Sequence, residues 1–292
     1  MTVLLTGGTG FIGTHVAHAL RARDVPVRAL VRDPGRAPRL RAWGCELVAG
    51  DVTDPASLAR ACEGADAVVQ LVSILNGKPA DFERLMAQGT RDLVGAAQAA
   101  GVRRFVLASA LGLDERSRDA VPYFAAKWEM ERAVRESALE HVIFRPSFVF
   151  GRDGGALQVF LRLARFAPVT PIVGDGTSRL QPIWVEDVAE FFARSLEQGS
   201  GVVELGGPDA VTWDDFWARL KRTTGNRRPS VHVPFGVMRL QAAAMELFPN
   251  PPLTRDQLTM LQLGDNVVGD PAPAAAFGVD LVPLDEQLRR AV

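Results

Sequence analysis

Tyr123 is the only tyrosine in this 292-residue chain, and Lys127, four residues on, is one of three lysines against thirty arginines. On a helix, positions i and i+4 share a face, so this spacing sets an ammonium beside a phenol. A phenol with a pKa near 10 is a poor base at neutral pH, and lowering it by about three pH units takes ~4 kcal/mol. A cation about 4 Å away at an effective dielectric near 20 supplies that much. The pair can then exchange a proton with a substrate hydroxyl or carbonyl. Ser109, at the end of a β-rich run, can orient the same oxygen, although a serine leading into Ala110-Leu111-Gly112 is also an ordinary turn former.

A second constellation opens the chain. Gly7-Gly8-Thr9-Gly10-Phe11-Ile12-Gly13 follows the first β-rich run directly and enters the first helical pattern. That context is the one a dinucleotide fingerprint requires. Gly7 allows the tight turn, Gly10 lets backbone approach a pyrophosphate, and Gly13 lets helix pack on strand. Thr9, Phe11 and Ile12 complete the expected phosphate-facing turn, whose helix end offers free N–H groups and a positive dipole end. A nicotinamide bound there in oxidised form would acidify the Tyr123 phenol further. Arg32, closing the second β-rich run with Arg36 close behind, can pair with a 2′-phosphate, so NADP(H) is favoured over NAD(H). Asp33 is adjacent and could take a ribose hydroxyl instead; Arg39 and Arg41 read as a solvated basic loop. Asp51, with Val52, sits where a carboxylate meets an adenine amino group, and also where Gly50-Asp51-Val52-Thr53-Asp54 would use it in a turn.

The elements that must position these groups alternate. Strands are expected at Thr2–Thr6, Pro26–Val31, Glu46–Ala49, Ala67–Val72, Arg104–Ser109 and Val142–Arg145, with helices at Phe11–Arg23, Asp81–Ala100 and Val121–Leu139. Asp54-Pro55 reads as a cap and first turn of a shorter helix through Cys62. The pattern predicts an α/β fold, a Rossmann-like doubly wound parallel sheet with a smaller C-terminal substrate-side region. Residues 1–150 would form the dinucleotide-binding domain. A helix at Asp187–Leu196 and a strand at Val202–Leu205 would return to it within about 182–205. Residues 151–292, rich in turn formers, would form the substrate side. Pro249, in Pro249-Asn250-Pro251-Pro252, would end the first of two late helical patterns.

Composition narrows the classes. Hydrophobic residues at 47% and charged residues at 23% fit an ordinary globular chain. A formal charge of −1 gives no basic field for a nucleic acid. No run approaches the ~18 apolar residues of a membrane span, and the apolar stretch before Gly7 is too short for a signal sequence. Cys45 and Cys62 read as buried free thiols, and a reducing cytoplasm is the simplest compartment. No metal is expected: His15 and His18 lie three apart with no completing ligand. No Ser-His-Asp arrangement has motif support. Trp213 and Trp217 suggest core packing, and Asp187 a helix N-cap.

Gly7-x-x-Gly10-x-x-Gly13, Gly50-Asp51-Val52, Ser109, Tyr123-x-x-x-Lys127 and Arg145-Pro146-Ser147-Phe148-Val149-Phe150-Gly151 together resemble an atypical, extended short-chain dehydrogenase/reductase over nearly the whole chain. Gln181 through Ala189, and Leu253–Leu258 with Asp265–Val268, are similar to bacterial relatives of the nucleotide-binding accessory subunit of mitochondrial complex I. The resemblance implies an NAD(P)-binding oxidoreductase or epimerase acting on a small carbonyl or alcohol. Tyr123 would be its acid/base, Lys127 would hold the nicotinamide ribose, and Ser109 would position the substrate. The turns Leu71-Val72-Ser73 and Pro146-Ser147-Phe148 would flank the nicotinamide. One departure is Met86, which stands four residues before Thr90 where many extended members carry Asn. The complex I resemblance implies an alternative, a nucleotide-holding assembly or accessory subunit. Either reading admits a protein partner or homo-oligomer.

Overall fold

A computed structural model describes residues 1–248, 251 and 253–292. Its centre is a seven-stranded, all-parallel sheet. In chain order the strands are β1 (Val3–Thr6), β2 (Val27–Val31), β3 (Glu46–Ala49), β4 (Ala67–Gln70), β5 (Arg104–Ala108), β6 (Glu140–Pro146) and β7 (Gly201–Leu205). In space they run β7-β6-β5-β4-β1-β2-β3. The order reverses at β1, between β2 and β4, and ligands of open α/β sheets bind at the carboxyl end of such a switch point. The expected α/β class and every expected strand are present, with ends displaced by at most two residues.

The strands are apolar because both sheet faces are covered. On one face α1 (Phe11–Arg21) packs Val16, Ala17 and Leu20 beside Val188, Ala189 and Phe192 of a late helix, Val185–Arg194. The Arg23–Glu190 ion pair joins the same two helices at the surface. On the other face lie α2 (Pro55–Cys62), α3 (Gly89–Ala99) and α4 (Pro122–Arg135). As expected, Asp54 caps α2 by accepting a hydrogen bond from Ala56 N at 3.0 Å. Cys45 and Cys62 are buried free thiols, and burial pushes the Cys62 thiol up to about 11.

Two details differ from expectation. The helix expected over Asp81–Ala100 is present without a break, but it starts at Pro79 and widens to π-helical hydrogen bonding over Glu83–Gln88 before α3 continues it. Asp187 does not cap a helix. It lies in the first turn of Val185–Arg194 and accepts from Val282 N at 2.8 Å, tying down the C-terminal segment; burial pushes its carboxyl up to about 6. Some of the apolar residues beyond β6 form a separate cluster that includes Phe216, Trp217 and Leu220, with Trp213 at its margin. The break expected at Pro249-Asn250 and Pro252 lies outside the described residues.

Candidate active site

Three glycines decide the shape of the first loop. Gly7 sits at φ +71°, and a Cβ there would lie 2.8 Å from the Leu71 carbonyl carbon. At Gly13 a Cβ would lie 2.1 Å from the Gly7 oxygen, so only glycine lets α1 rise this close to the turn. Gly10 N donates to Gly7 O at 3.0 Å, and no described side chain caps the start of α1. The first amide groups of α1 are thus left for a ligand. Beside them lies a cavity of about 370 Å³ lined by Thr9, Gly10, Phe11, Thr14, Arg36 and Arg39. These are the features a pyrophosphate needs, and the donor set fits a dinucleotide.

A buried network holds the facing turn. Gln70 pairs with Thr6 at the ends of β4 and β1, donates to Thr90 Oγ1 at 3.0 Å and accepts from Val72 N at 3.2 Å. This sets Leu71-Val72 against Gly7, with Ser73 exposed beyond them. Nothing in the residue types around Gln70 announced this role, although a glutamine inside an apolar β run is the signal that could have.

Phe11 plays a part that the loop pattern alone does not suggest. Cβ atoms at Gly151, Gly154 and Gly155 would lie 2.7, 2.5 and 2.8 Å from its ring. A glycine turn is therefore the seat of this aromatic side chain, and it locks the start of α1 to the segment after β6. His15 and Arg39 both reach Asp153 in that same turn, at 3.0 and 3.4 Å. Arg39 is largely exposed, as a solvated basic loop implies, and also borders the cavity.

Tyr123, Lys127 and Ser109 come together at the carboxyl end of β5. Tyr123 is 9% exposed on the first turn of α4, with its ring edge-on to Phe82 and tilted against Phe124. Lys127 is 1% exposed, its ammonium 5.7 Å from the centre of the Tyr123 ring and 2.6 Å from the Ala108 carbonyl oxygen. Ser109, the next residue, has a buried hydroxyl with no hydrogen-bond partner among the described residues. A buried polar atom left alone is costly, and at a sheet edge it marks a place for a ligand. Glu131, one turn beyond Lys127, is buried and gripped by both arms of Arg145 at 2.8 Å, and also by Arg135. Arg145 thereby anchors the end of β6, whose Pro146 oxygen accepts from Leu111 N.

The electrostatics differ from the sequence expectation. Burial pushes the Tyr123 phenol up to about 12, with a Ser73 hydrogen bond working the other way. It also pushes the Lys127 ammonium down to about 7, opposed by the Glu131 carboxylate. The expected lowering of the phenol by its neighbour is thus absent without ligand, because desolvation outweighs a cation that sits over the ring rather than at the hydroxyl.

Other expected residues are placed as follows. Val52 is buried. The Asp51 carboxylate is occupied by Thr53 N and Oγ1 at 2.9 and 2.8 Å, the turn role. Arg32 is exposed at the end of β2, while Asp33 accepts from Gly35 N at 2.8 Å as a cap. Ser147 donates to Asn266 Oδ1 at 2.5 Å, bringing the late segment around Asn266 over Pro146 and Phe148. Phe148 in turn packs edge-on to Trp213. Met86 lies in the π-helical stretch with its sulfur 3.5 Å from Ile74 N and 4.0 Å from the Ser73 hydroxyl, so a weak acceptor occupies the position where the resemblance expects Asn. No group of three or more His, Cys, Asp or Glu among the described residues could hold a metal. No helix among them is long and apolar enough to cross a membrane.

A family model described as NAD(P)H-binding matches residues 7–198. The chain belongs to this NAD(P)H-binding family. It is 32% identical over 236 residues to a ceramide reductase of Caulobacter vibrioides, covering 80% of this chain and 73% of that protein. It is 28% identical to the photosystem II assembly factor Ycf39 of Trieres chinensis, over 85% of this chain and 77% of that one. In shape it matches an Escherichia coli NADPH-dependent quinone oxidoreductase complexed with NADPH, at a TM-score of 0.79 and 22% identity over 98% of each chain.

Proposed function

We propose that this chain is an NADP(H)-dependent oxidoreductase that acts on a carbonyl or alcohol through Ser109, Tyr123 and Lys127. The observation that carries the reading is the buried, unpartnered Ser109 hydroxyl beside the carbonyl that Lys127 grips. Gly7, Thr9, Gly10, Phe11, Ile12 and Gly13 would hold the pyrophosphate. Asp51 and Val52 would border the adenine, Arg32 and Arg36 would meet the 2′-phosphate, and Leu71, Val72, Ser73, Pro146 and Phe148 would border the nicotinamide half. Bound NADPH supplies the hydride. Tyr123, with its pKa near 12, carries its proton at neutral pH and is set up as the acid of a reduction, passing the phenolic proton from Oη to the substrate oxygen. Ser109 donates to the same oxygen, and the Lys127 ammonium steadies the phenolate left behind. Ceramide reductase, the 32% identical relative, is a reductase by name and favours this direction.

The test is to purify the chain, identify the nucleotide it retains, and follow NADPH absorbance against a panel of ketones, quinones and aldehydes. Substrate-dependent loss of absorbance supports the reading; retained nucleotide with no turnover on any member supports the second one. That second reading is a nucleotide-holding assembly subunit. The similarity to an assembly factor favours it, as does the thorough burial of Tyr123.

A further inference from the structure

Ser109 stands at the end of β5, which lies between β4 and β6 in the sheet, and a late segment is tied down on both sides of it. At the start of the helix Arg255–Gln262, Thr254 and Gln257 cap each other: Thr254 Oγ1 accepts from Gln257 N at 3.2 Å, and Gln257 Oε1 accepts from Thr254 N at 3.1 Å. The cap leaves Gln257 Nε2 to donate to Asn76 Oδ1 at 3.4 Å, in the loop after β4. Three residues earlier in that loop, the Ser73 hydroxyl bonds to the Tyr123 phenol. Past the helix, Asn266 bridges to Leu180 and accepts from Ser147, just beyond β6. The residues between the two ties therefore pass over the end of β5.

The helix turns an apolar side toward the site. Leu258 is buried against Met238 and Ala242 on its outer side. Met260 is two residues on, about 200° around the axis, and packs against the cluster that holds Tyr123, Phe124 and Leu113. Leu263 follows Met260 by three and shares its face, 47% exposed; across the tie, Leu75 is 60% exposed beside Asn76. The walls that meet here carry no formal charge: residues 71–77, 109–113, 146–151 and 257–264 contain no Asp, Glu, Lys, Arg or His. The flanking charges are turned elsewhere. Arg255 grips Glu246 and Arg179 grips Asp265, each at 2.8 Å, while Lys78 and Asp256 are exposed. Lys127, the cation inside, is held by the Ala108 carbonyl. A carboxylate or diphosphate brought to this place would lose its water and find no free cation, whereas hydrocarbon would gain by leaving water.

We infer that the substrate of the Ser109–Tyr123 site is an uncharged carbonyl or alcohol with a substantial hydrocarbon part, and that Met260 and Leu263 are the side chains that select it. This rests on the oxidoreductase reading and narrows it: keto acids and nucleotide-linked sugars fall outside the class.

The test is NADPH consumption by the whole protein with matched pairs that differ in one charge: 2-octanone against 7-oxooctanoate, benzaldehyde against 4-carboxybenzaldehyde, and naphthoquinone against its sulfonate. In every pair that turns over, kcat/KM should favour the neutral member by at least about tenfold. Along butanone, 2-hexanone and 2-octanone it should rise about tenfold per two methylenes. Met260→Arg should shift the neutral-to-charged ratio toward the charged member by about tenfold or more, with the NADPH Kd within about twofold. A purely structural Met260 would lower both members together and leave the ratio alone, which overturns the assignment. If circular dichroism shows Met260→Arg unfolded, Leu263→Arg, at a half-exposed position, should move the ratio the same way by about threefold; an unmoved ratio is again fatal. Equal or better turnover of the charged members overturns the substrate class while leaving the oxidoreductase reading intact. Turnover of neither member in any pair overturns that reading, and this inference with it.

Discussion

The Lys127 ammonium donates to the Ala108 carbonyl oxygen at 2.6 Å, and this single bond fastens α4 to the end of β5 one residue before Ser109. Tyr123, Lys127 and Ser109 are thus parts of one joint, although they come from two elements about 15 to 20 residues apart in the sequence.

Tyr123→Phe removes the proton and keeps the ring against Phe82 and Phe124. Turnover should fall by at least ~100-fold, the usual worth of a positioned general acid. Steady-state kinetics and NADPH titration on the same preparation check this. Cofactor affinity should stay within about twofold, and a parallel loss of both would mean that the hydroxyl is structural.

Lys127→Met exchanges a buried cation for an apolar side chain of similar length. In the fold Lys127 gives up its proton near pH 7, against an ordinary 10.5 when unfolded. Between those values the unfolded chain holds the extra proton, so this site makes wild-type stability rise with pH across that window, and its burial cost is felt in full below it. The variant should therefore melt above wild type at pH 6, and the margin should narrow toward pH 10 while activity is lost throughout. A margin that does not change with pH would refute the buried-cation account.

Arg32→Ala combined with Arg36→Ala tests the nucleotide preference. Loss of two charge-assisted contacts to a 2′-phosphate should weaken NADPH by about tenfold or more and leave NADH nearly unchanged. Isothermal titration with both nucleotides decides it, and equal weakening of the two would remove these arginines from phosphate recognition.

Gly13→Ala places a methyl 2.1 Å from the Gly7 oxygen. Either the turn or α1 must give way. A cost of about 1–3 kcal/mol in stability is expected from such overpacking. NADPH should also lose its usual power to raise the melting temperature. Thermal melts with and without NADPH measure both effects.

Much of this could be read from the chain because local patterns and tertiary demands agree. The β-rich runs became sheet strands, and the glycines at 7, 10 and 13 stand at the turn they implied. What stayed illegible depends on contacts between distant segments. The helical periodicity of Asp81–Ala100 runs straight through the π stretch, so nothing local marks the wider turns that begin at Glu83. Asp187 looks like a cap because its partner, Val282, lies 95 residues away. The seat of Phe11 belongs to glycines some 140 residues downstream, which in sequence read only as a turn. The phenol's acidity is illegible for a related reason: helical spacing gives proximity to a cation but says nothing about how completely the fold strips both groups of water.

The cover of α1 by Val185–Arg194 has a consequence for synthesis. At 5–20 residues per second, a ribosome completes α1 roughly 10 to 30 s before it begins the helix that shields Val16 and Leu20. For that interval the first β-α unit presents a bare apolar stripe to the cell. The nascent amino-terminal half is thus a client for chaperones, and production at lower temperature or with added trigger-type holdases should raise the soluble yield.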